Sequence, residues 1–330
     1  MPLNNWLCIH PSSATTDISD TVSLDNRGLA YGDGFFTTMG VIDGQILWLA
    51  HHQQRLISHA EALQLELDSH SVMALLQTHA EQLQQGMLKL MVTRAVQDVR
   101  GYGYVPTASG SDCEIWLKSS AMTVTTTQQL RLPDGCSIPM QPISSAICLS
   151  SQLACLPPPL AGLKSLNRLD NVLASGELQA IKAKVLEDNI KPSISEGLLR
   201  DMIGRWVEGT MSNVFYQLSD SPLSTLSSEK MSSEKLSTLP LYEDNTNYLT
   251  TGQWYTPSMA KSGVAGVMRQ VLIDALSTSK HPVIIRSLKD EDLPQLSQLF
   301  FCNALRGVMP MSSLTLLSGE MVILSDSNRI

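Results

Sequence analysis

Two hydrophobic periodicities alternate along this chain, and their alternation limits its fold more strongly than any other feature. Residues 50–67 carry apolar side chains at helical spacing, namely Leu56, Ala60, Leu63 and Leu67. This spacing predicts an amphipathic helix. Residues 37–41 and 45–49 flank an Asp-Gly turn and predict a β-hairpin. Because helical and strand patterns continue to alternate to the end of the chain, the sequence predicts a mixed α and β fold.

The remaining elements follow from the same patterns. Further strands are predicted at residues 6–9, 87–96, 113–118, 146–150, 197–200, 205–208, 214–218, 282–287 and 299–304. Further helices are predicted at residues 70–85, 168–185, 262–277 and 291–297. In the helix at 168–185, we expect the buried stripe to consist of Leu169, Val172, Leu173, Gly176 and Ala180.

Composition shifts divide the chain. Residues 119–127 are small and polar, so we place a domain boundary there, between a domain of residues 1–120 and a larger one of residues 121–330. Residues 219–244 are rich in serine and contain a repeated five-residue polar motif. Because such a segment cannot build a core, we expect a flexible surface insertion.

Charge and cysteine content exclude several classes of function. The net charge is −8 without a dense Lys/Arg cluster, which argues against nucleic acid as a partner. No apolar run is long enough to span a bilayer, and residues 1–5 do not resemble a signal peptide. The six cysteines are scattered and the seven histidines lack metal-binding spacing. We therefore expect a cytoplasmic protein with reduced thiols and no metal site.

Lys164 is the candidate for covalent chemistry. It lies within residues 160–169, among apolar and small residues, just before a predicted helix. A desolvated lysine loses its proton more easily and can form a Schiff base with an aldehyde or ketone. The alternative is an ordinary surface lysine in a loop.

A Schiff-base lysine paired with pyridoxal phosphate would need two further sites. The phosphate group requires backbone N–H groups at a helix N-terminus and an arginine; residues 266–268 fit the first, and either Arg55 or Arg269 fits the second. The pyridine nitrogen requires a carboxylate, for which Glu208 is the candidate. Each of these features also has an ordinary structural explanation, as a helix cap or a surface charge.

Five motifs together resemble a known family. They occupy residues 32–36, 52–56 (His-x-x-Arg-Leu), 162–164, 208–215 and 263–269. Because the motifs occur in this order, the chain resembles the fold-type IV pyridoxal-phosphate enzymes. That family includes branched-chain and D-amino acid aminotransferases and aminodeoxychorismate lyases. The resemblance covers nearly all of the chain except residues 219–244. It implies two domains, a small α/β N-terminal one and a larger one with a barrel-like sheet, and a homodimer.

The resemblance also implies roles for individual residues. Lys164 would form the Schiff base with the cofactor, and Glu208 would pair with its pyridine nitrogen. Arg55 would hold the phosphate group, together with the backbone of Val267 and Met268. Asn303 would be another residue on the phosphate side.

Within the family, the chain is similar to the lyases at several positions. Aminotransferases usually carry a glutamate where Thr37 stands, and residues 164–169 and 303–310 also follow the lyase pattern. In the lyases, the position of Thr38 is thought to help protonate the departing pyruvate. Tyr31, a candidate substrate-binding residue, instead matches the aminotransferase pattern, and Arg100 is a candidate ligand for a substrate carboxylate.

We therefore expect a lyase that converts 4-amino-4-deoxychorismate to 4-aminobenzoate and pyruvate in folate biosynthesis. The alternative is a class IV aminotransferase that acts on D-amino or branched-chain amino acids. A non-catalytic anion-binding relative ranks below both, because Lys164, Glu208 and Arg55 are all retained.

Overall fold

The N-terminal part of the chain forms one sheet with two helices packed against it. In the computed structural model, the described residues are 6–10, 21–124, 128–187, 194–219 and 247–324. The first elements are β1 (Trp6–His10), α1 (Arg27–Tyr31), β2 (Gly34–Ile42), β3 (Gln45–Ile46), α2 (Leu49–Leu63), α3 (Ser69–Leu83), β4 (Gly86–Arg94) and β5 (Cys113–Ala121). The five strands pair in the order β1-β5-β4-β2-β3, and all of these pairs are antiparallel.

The two faces of this sheet have different surroundings because side chains alternate along a strand. One face contributes Phe35, Met39, Leu88, Leu90, Ile115 and Leu117 to a core shared with α2 and α3. The opposite face carries Phe36, Thr38 and Lys89, which are only partly buried. This second face therefore remains available to line a cleft.

The C-terminal part builds a larger sheet. Its elements are β6 (Gln128–Arg131), β7 (Ser137–Met140), β8 (Ser144–Leu153), α4 (Leu169–Glu187), β9 (Ile194–Asp201), β10 (Trp206–Gly209), β11 (Asn213–Leu218), α5 (Asn247–Thr250), β12 (Tyr255–Thr256), α6 (Val267–Leu276), β13 (Ile284–Ile285), a 3-10 helix (Asp290–Gln295), β14 (Leu296–Asn303), β15 (Gly307–Thr315) and β16 (Met321–Ile323). Strands β8, β9, β10, β11, β14 and β15 pair in a closed ring. The predicted mixed fold, with a small sheet domain and a barrel-like larger one, is confirmed.

The segment around Lys164 connects β8 to α4 and lies between the two sheets. On one side, the Phe36 N–H donates to the Lys164 carbonyl at 3.0 Å, and the Leu166 N–H donates to the Gly34 carbonyl at 3.0 Å. On the other side, the Ala265 N–H donates to the Gly162 carbonyl at 2.9 Å. Main-chain hydrogen bonds to both halves of the molecule therefore fix the position of Lys164.

The buried face predicted for the helix at 168–185 was wrong. Leu169, Val172 and Leu173 are 78%, 60% and 70% exposed, and Gly176 and Ala180 are exposed as well. Ala174 and Leu178 are buried instead, in a cluster with residues of β8 and β9. Apolar residues occur on more than one side of this helix, so periodicity alone could not identify the side that packs on the barrel.

The end of the first long helix also differs from the prediction. α2 ends at Leu63 because Gln64 adopts a left-handed conformation, with φ of 54°, and its N–H caps the helix. Leu67 packs against the core from the following loop. Apart from Ser219, the predicted insertion at 219–244 lies outside the described residues. Within the described ranges, no helix has the length and apolar character needed to cross a membrane.

Candidate active site

Lys164 lies in a partly buried position beside an aromatic ring. Its Nζ atom is 4.5 Å from the centroid of the Phe36 ring, and its backbone N–H donates to His59 Nε2 at 2.9 Å. Burial, followed by the positive charge of Arg55, lowers the pKa of the Lys164 amine to about 7. A large fraction of this amine is therefore uncharged near neutral pH and can act as a nucleophile or a base.

The lowered pKa of Lys164 predicts how its reaction with an aldehyde depends on pH. Because only the neutral amine attacks, the rate of pyridoxal phosphate addition to the apoprotein should rise about tenfold per pH unit below pH 7 and level off above it. A lysine with the ordinary pKa of 10.5 would give a rate that keeps rising. The measurement is stopped-flow absorbance from about pH 5 to 9. A rate still climbing steeply at the upper end would contradict the lowered pKa.

Glu208 is a buried carboxyl group near the end of β10, where sequence analysis placed it. It is 3% exposed. Its Oε2 accepts a hydrogen bond from the Val264 N–H at 2.8 Å, and its Oε1 accepts one from Asn171 Nδ2 at 3.3 Å. Burial raises the pKa of Glu208 to about 7, although these hydrogen bonds oppose the shift. The carboxyl group can therefore exchange a proton near neutral pH.

The N-terminus of α6 offers backbone N–H groups to an anion. Its first residues are Val267 and Met268, and its N-cap residue, Gly266, provides no side-chain hydrogen bond. A Cβ atom at position 266 would lie 1.9 Å from Asn213 Oδ1, so any other residue here would displace the side chain of Asn213. Helix N-termini of this kind attract phosphate groups.

Arg55 brings a positive charge to the same end of α6. It is 7% exposed, and its Nη2 donates to the Ala265 carbonyl at 2.7 Å, one residue before the N-cap. Its Nη1 donates to Thr37 Oγ1 at 3.4 Å. Arg269, the other candidate, donates to the Pro257 carbonyl at 2.9 Å and is held within the C-terminal part. These contacts favour Arg55 as the partner of an anion at the start of α6.

The arrangement fits pyridoxal phosphate. The charges of Arg55 and Glu208 both act on the Lys164 amine, so the three groups share one site. An amine with a lowered pKa, a buried carboxyl group, and a helix N-terminus beside an arginine are the groups that the aldehyde, the pyridine nitrogen and the phosphate require. The residues present can therefore hold the cofactor.

The two neighbouring threonines of β2 have different surroundings. Thr37 is fully buried, and its Oγ1 is 2.8 Å from His52 Nδ1. Thr38 is partly buried and lies on the same sheet face as Phe36, opposite Lys89 on β4. Of the two, Thr38 is thus the one on the face that Lys164 approaches.

Tyr31 and Arg100, the candidates for contact with the substrate, both belong to the N-terminal part of the chain. Tyr31, at the end of α1, is 39% exposed, and its ring centroid is 5.2 Å from that of Tyr102. Arg100 is exposed in the loop between β4 and β5. In the described part of a single chain, neither side chain forms a hydrogen bond or ion pair with Lys164. Their predicted contact with substrate stays a prediction.

Asn303 stabilises a turn at the end of β14. Its Oδ1 accepts hydrogen bonds from the N–H groups of Leu305 and Arg306, at 3.1 and 2.8 Å. Its Nδ2 donates to the Met211 carbonyl at 3.3 Å. The side chain therefore joins this turn to the one between β10 and β11, which follows Glu208.

Sequence analysis missed several residues of the site. His59 lies one helical turn after Arg55 on α2, and burial lowers its pKa to about 3. The ring is therefore neutral, and it can accept the hydrogen bond from the Lys164 N–H. The spacing of four residues from Arg55 was a usable signal for His59. Asn171 contacts Glu208 only through the tertiary fold, and no local pattern indicated it.

Comparison with known proteins shows extended similarity. A family model described as amino-transferase class IV matches residues 34–314. The crystal structure of 4-amino-4-deoxychorismate lyase from Pseudomonas aeruginosa is 29% identical, with a TM-score of 0.64 and coverage of 89% of this chain and 87% of that one. Aminodeoxychorismate lyase from Vibrio harveyi is 23% identical over 296 residues, which is 89% of this chain and 88% of that protein. The structure of the Escherichia coli branched-chain amino acid aminotransferase is 17% identical, with a TM-score of 0.62 and coverage of 93% and 83%.

Proposed function

Because this chain belongs to the class IV aminotransferase family, whose members depend on pyridoxal phosphate, we propose that it is an aminodeoxychorismate lyase. The reaction would convert 4-amino-4-deoxychorismate to 4-aminobenzoate and pyruvate, as a step of folate biosynthesis. It would take place in the cytoplasm, in a homodimer. The atoms of the substrate are divided between the two products, so neither an amino acceptor nor an oxidant is needed.

One observation carries the choice of a lyase. β2 presents Phe36 and Thr38 to the side of Lys164, while Thr37 is buried with His52 and Arg55. Thr37 stands where aminotransferases of this family usually carry a glutamate, and the next residue places a hydroxyl group on the side of Lys164, where the lyases are thought to use one to protonate the departing pyruvate. The similarity to the lyases of Pseudomonas aeruginosa and Vibrio harveyi supports the same choice.

The residues of the chain have defined tasks in this reaction. When bound, pyridoxal phosphate supplies an aldehyde for the substrate amine and a ring that takes up negative charge. Lys164 would hold the cofactor in the resting enzyme. Once the substrate amine has replaced Lys164 on the cofactor, the neutral Nζ atom of Lys164 would remove the proton from the ring carbon that bears the substrate amine.

Glu208 and the start of α6 would hold the cofactor at its two ends. Glu208 would keep a proton on the pyridine nitrogen, which favours the uptake of negative charge. Arg55 and the backbone N–H groups of Val267 and Met268 would bind the phosphate group, and Asn303 would be a further residue on the phosphate side. Glu208 at one end and the phosphate-binding groups at the other would thus fix the orientation of the pyridine ring.

Thr38 would act on the departing fragment. Loss of the enolpyruvyl oxygen makes the ring of the product aromatic, and the fragment then needs a proton to become pyruvate. The hydroxyl group of Thr38 lies on the cleft face and can relay that proton, or Lys164 can return the one it removed. Tyr31 and Arg100 would contact the substrate, with Arg100 as the partner of a carboxylate.

A continuous pyruvate assay tests the proposed function. The purified protein, saturated with pyridoxal phosphate, is mixed with 4-amino-4-deoxychorismate without any α-keto acid, and pyruvate is followed with lactate dehydrogenase. We expect many turnovers per active site and one 4-aminobenzoate for each pyruvate. No pyruvate from a protein that carries the cofactor would contradict the lyase.

The second candidate is an aminotransferase acting on D-amino or branched-chain amino acids, which Tyr31 favours because it matches the aminotransferase pattern. An aminotransferase retains the amino group of its first substrate and needs a keto acid to complete a cycle. If the holoprotein is given D-alanine or a branched-chain amino acid alone, each active site would then convert one molecule, and turnover would continue only after a keto acid is added. Sustained turnover with those pairs, and none with aminodeoxychorismate, would establish this alternative.

A further inference from the structure

Both polar atoms of the Lys164 backbone are hydrogen-bonded to the N-terminal part of the molecule. The carbonyl accepts from the Phe36 N–H at 3.0 Å, and the N–H donates to Nε2 of His59 at 2.9 Å. The first of these bonds joins two main-chain groups. The second requires a side chain with an acceptor, so it depends on the identity of residue 59.

His59 can accept this bond in only one of its neutral forms. Burial, followed by the positive charges of Arg55 and Lys164, lowers the pKa of His59 to about 3, so the ring is uncharged near neutral pH. Because a backbone N–H can only donate, Nε2 carries no hydrogen and Nδ1 carries it. Nδ1 is 3.2 Å from Ser58 Oγ, which in turn donates to the Arg55 carbonyl at 3.3 Å. The form with its hydrogen on Nδ1 is therefore consistent with all three hydrogen bonds.

The His59 ring is also enclosed by its neighbours. It is 5% exposed, and its centroid is 5.3 Å from that of the Phe35 ring, which it meets edge to face. Packing as well as hydrogen bonding therefore holds the ring in place. An apolar residue of similar size could fill the space, but it would leave the Lys164 N–H without this partner.

Helix α2 connects this bond to the phosphate side of the site. His59 follows Arg55 by four residues, so the two side chains lie on the same face of the helix. Arg55 Nη2 donates to the Ala265 carbonyl, immediately before the N-cap residue of α6, at 2.7 Å. One helix therefore contacts both the main chain of Lys164 and the start of α6.

We propose that His59 is a positioning residue, which holds Lys164 at a fixed distance from the phosphate-binding end of the site by accepting its backbone N–H. The proposal rests on the role given to Lys164 in the proposed function. It predicts a dependence on the phosphate group of the ligand. A ligand anchored by its phosphate group reacts only if the amine lies at the matching distance, whereas an aldehyde without a phosphate group can shift to follow a displaced amine.

The experiment follows the addition of pyridoxal phosphate, and separately of pyridoxal, to the apoprotein by stopped-flow absorbance. His59→Leu removes the acceptor and keeps an apolar side chain in its place. It should lower the ratio of the two rates, pyridoxal phosphate over pyridoxal, about 5- to 50-fold, the loss expected when a backbone N–H is left without its partner. His59→Gln, whose side-chain carbonyl can replace Nε2 as the acceptor, should restore most of the ratio. His70→Leu, the same change at an exposed histidine on α3, should leave the ratio unchanged.

A second measurement tests the hydrogen bond itself in the unaltered protein. The tautomer of His59 is read from the ring-nitrogen chemical shifts of the wild-type apoprotein labelled with nitrogen-15 histidine. The His59 signals are assigned by their absence in His59→Gln. We expect a neutral ring with its hydrogen on Nδ1 near pH 7. A hydrogen on Nε2, or a charged ring at that pH, would overturn the inference.

Four outcomes of the rate measurements would also overturn the inference. They are an unchanged ratio in His59→Leu, an equal loss with both aldehydes, no recovery in His59→Gln, and the same effect in His70→Leu as in His59→Leu. None of these rates depends on 4-amino-4-deoxychorismate. A failed pyruvate assay combined with the expected dependence on His59 would therefore contradict the lyase activity and support the positioning role.

Discussion

Replacement of Lys164 by alanine is expected to lower turnover of 4-amino-4-deoxychorismate by about 10⁴-fold or more, because in the proposed reaction the same amine would anchor the cofactor and serve as the general base. The measurement is the continuous pyruvate assay with excess pyridoxal phosphate. The variant should also lose the absorption band of the covalently attached cofactor. The fold should survive, because the main-chain hydrogen bonds of residue 164 to Phe36 and His59 do not involve its side chain.

The matched control for Lys164→Ala is Lys280→Ala, which removes an exposed lysine in the loop after α6. It should retain wild-type turnover and absorption. Lys164→Ala with more than about a tenth of wild-type turnover would contradict the role assigned to Lys164, since a general base alone contributes about 10²- to 10⁴-fold.

Replacement of Glu208 by glutamine should lower kcat by about 10²- to 10³-fold, because a neutral amide cannot stabilise the charge that develops on the ring as a carboxylate does. Glutamine has nearly the same shape, so binding of the cofactor should be weakened far less than catalysis. The measurement is kcat at saturating cofactor, with cofactor affinity taken from absorbance titration. Wild-type kcat in Glu208→Gln would contradict the role of the carboxyl group.

Stability measurements distinguish a loss of kcat caused by the missing carboxylate in Glu208→Gln from a loss caused by misfolding. Burial raises the pKa of Glu208 from 4.5 to about 7, so the contribution of this group to folding of the apoprotein is fully present below pH 4.5 and is lost as the pH rises through 7. A glutamine does not ionise and escapes that loss. At about pH 8, the apoprotein of Glu208→Gln should therefore unfold at no lower a denaturant concentration than the wild type. Marked destabilisation there would mean that the loss of activity reflects folding.

The parts of the site that could be predicted from the sequence have local causes. Lys164 precedes a helix within a run of small and apolar residues, and Glu208 lies next to a turn at the end of a strand; both patterns can be read from adjacent residues. The glycine at the start of α6 was visible for the same reason. Five such motifs, which occur in the same order as in the family, were enough to predict the family. The family model confirms that prediction.

The parts that could not be predicted depend on contacts between distant segments. Lys89 appears as one polar residue in an apolar strand, and only the pairing of β4 with β2 places it beside Phe36. The packed side of α4 was chosen wrongly because its apolar residues are not confined to one side, and the barrel contacts Ala174 and Leu178. The choice between Arg55 and Arg269 likewise required the hydrogen bond from Arg55 to Ala265.

Covalent attachment of pyridoxal phosphate at one lysine is the claim on which the rest depends, and chemical trapping tests it most directly. The holoprotein is reduced with sodium borohydride and digested, and the peptides are identified by mass spectrometry, with Lys164→Ala treated in parallel. We predict one modified peptide, with the phosphopyridoxyl group on Lys164, and none in the variant. A group attached to another lysine, or a wild-type protein that traps no cofactor, would contradict the account.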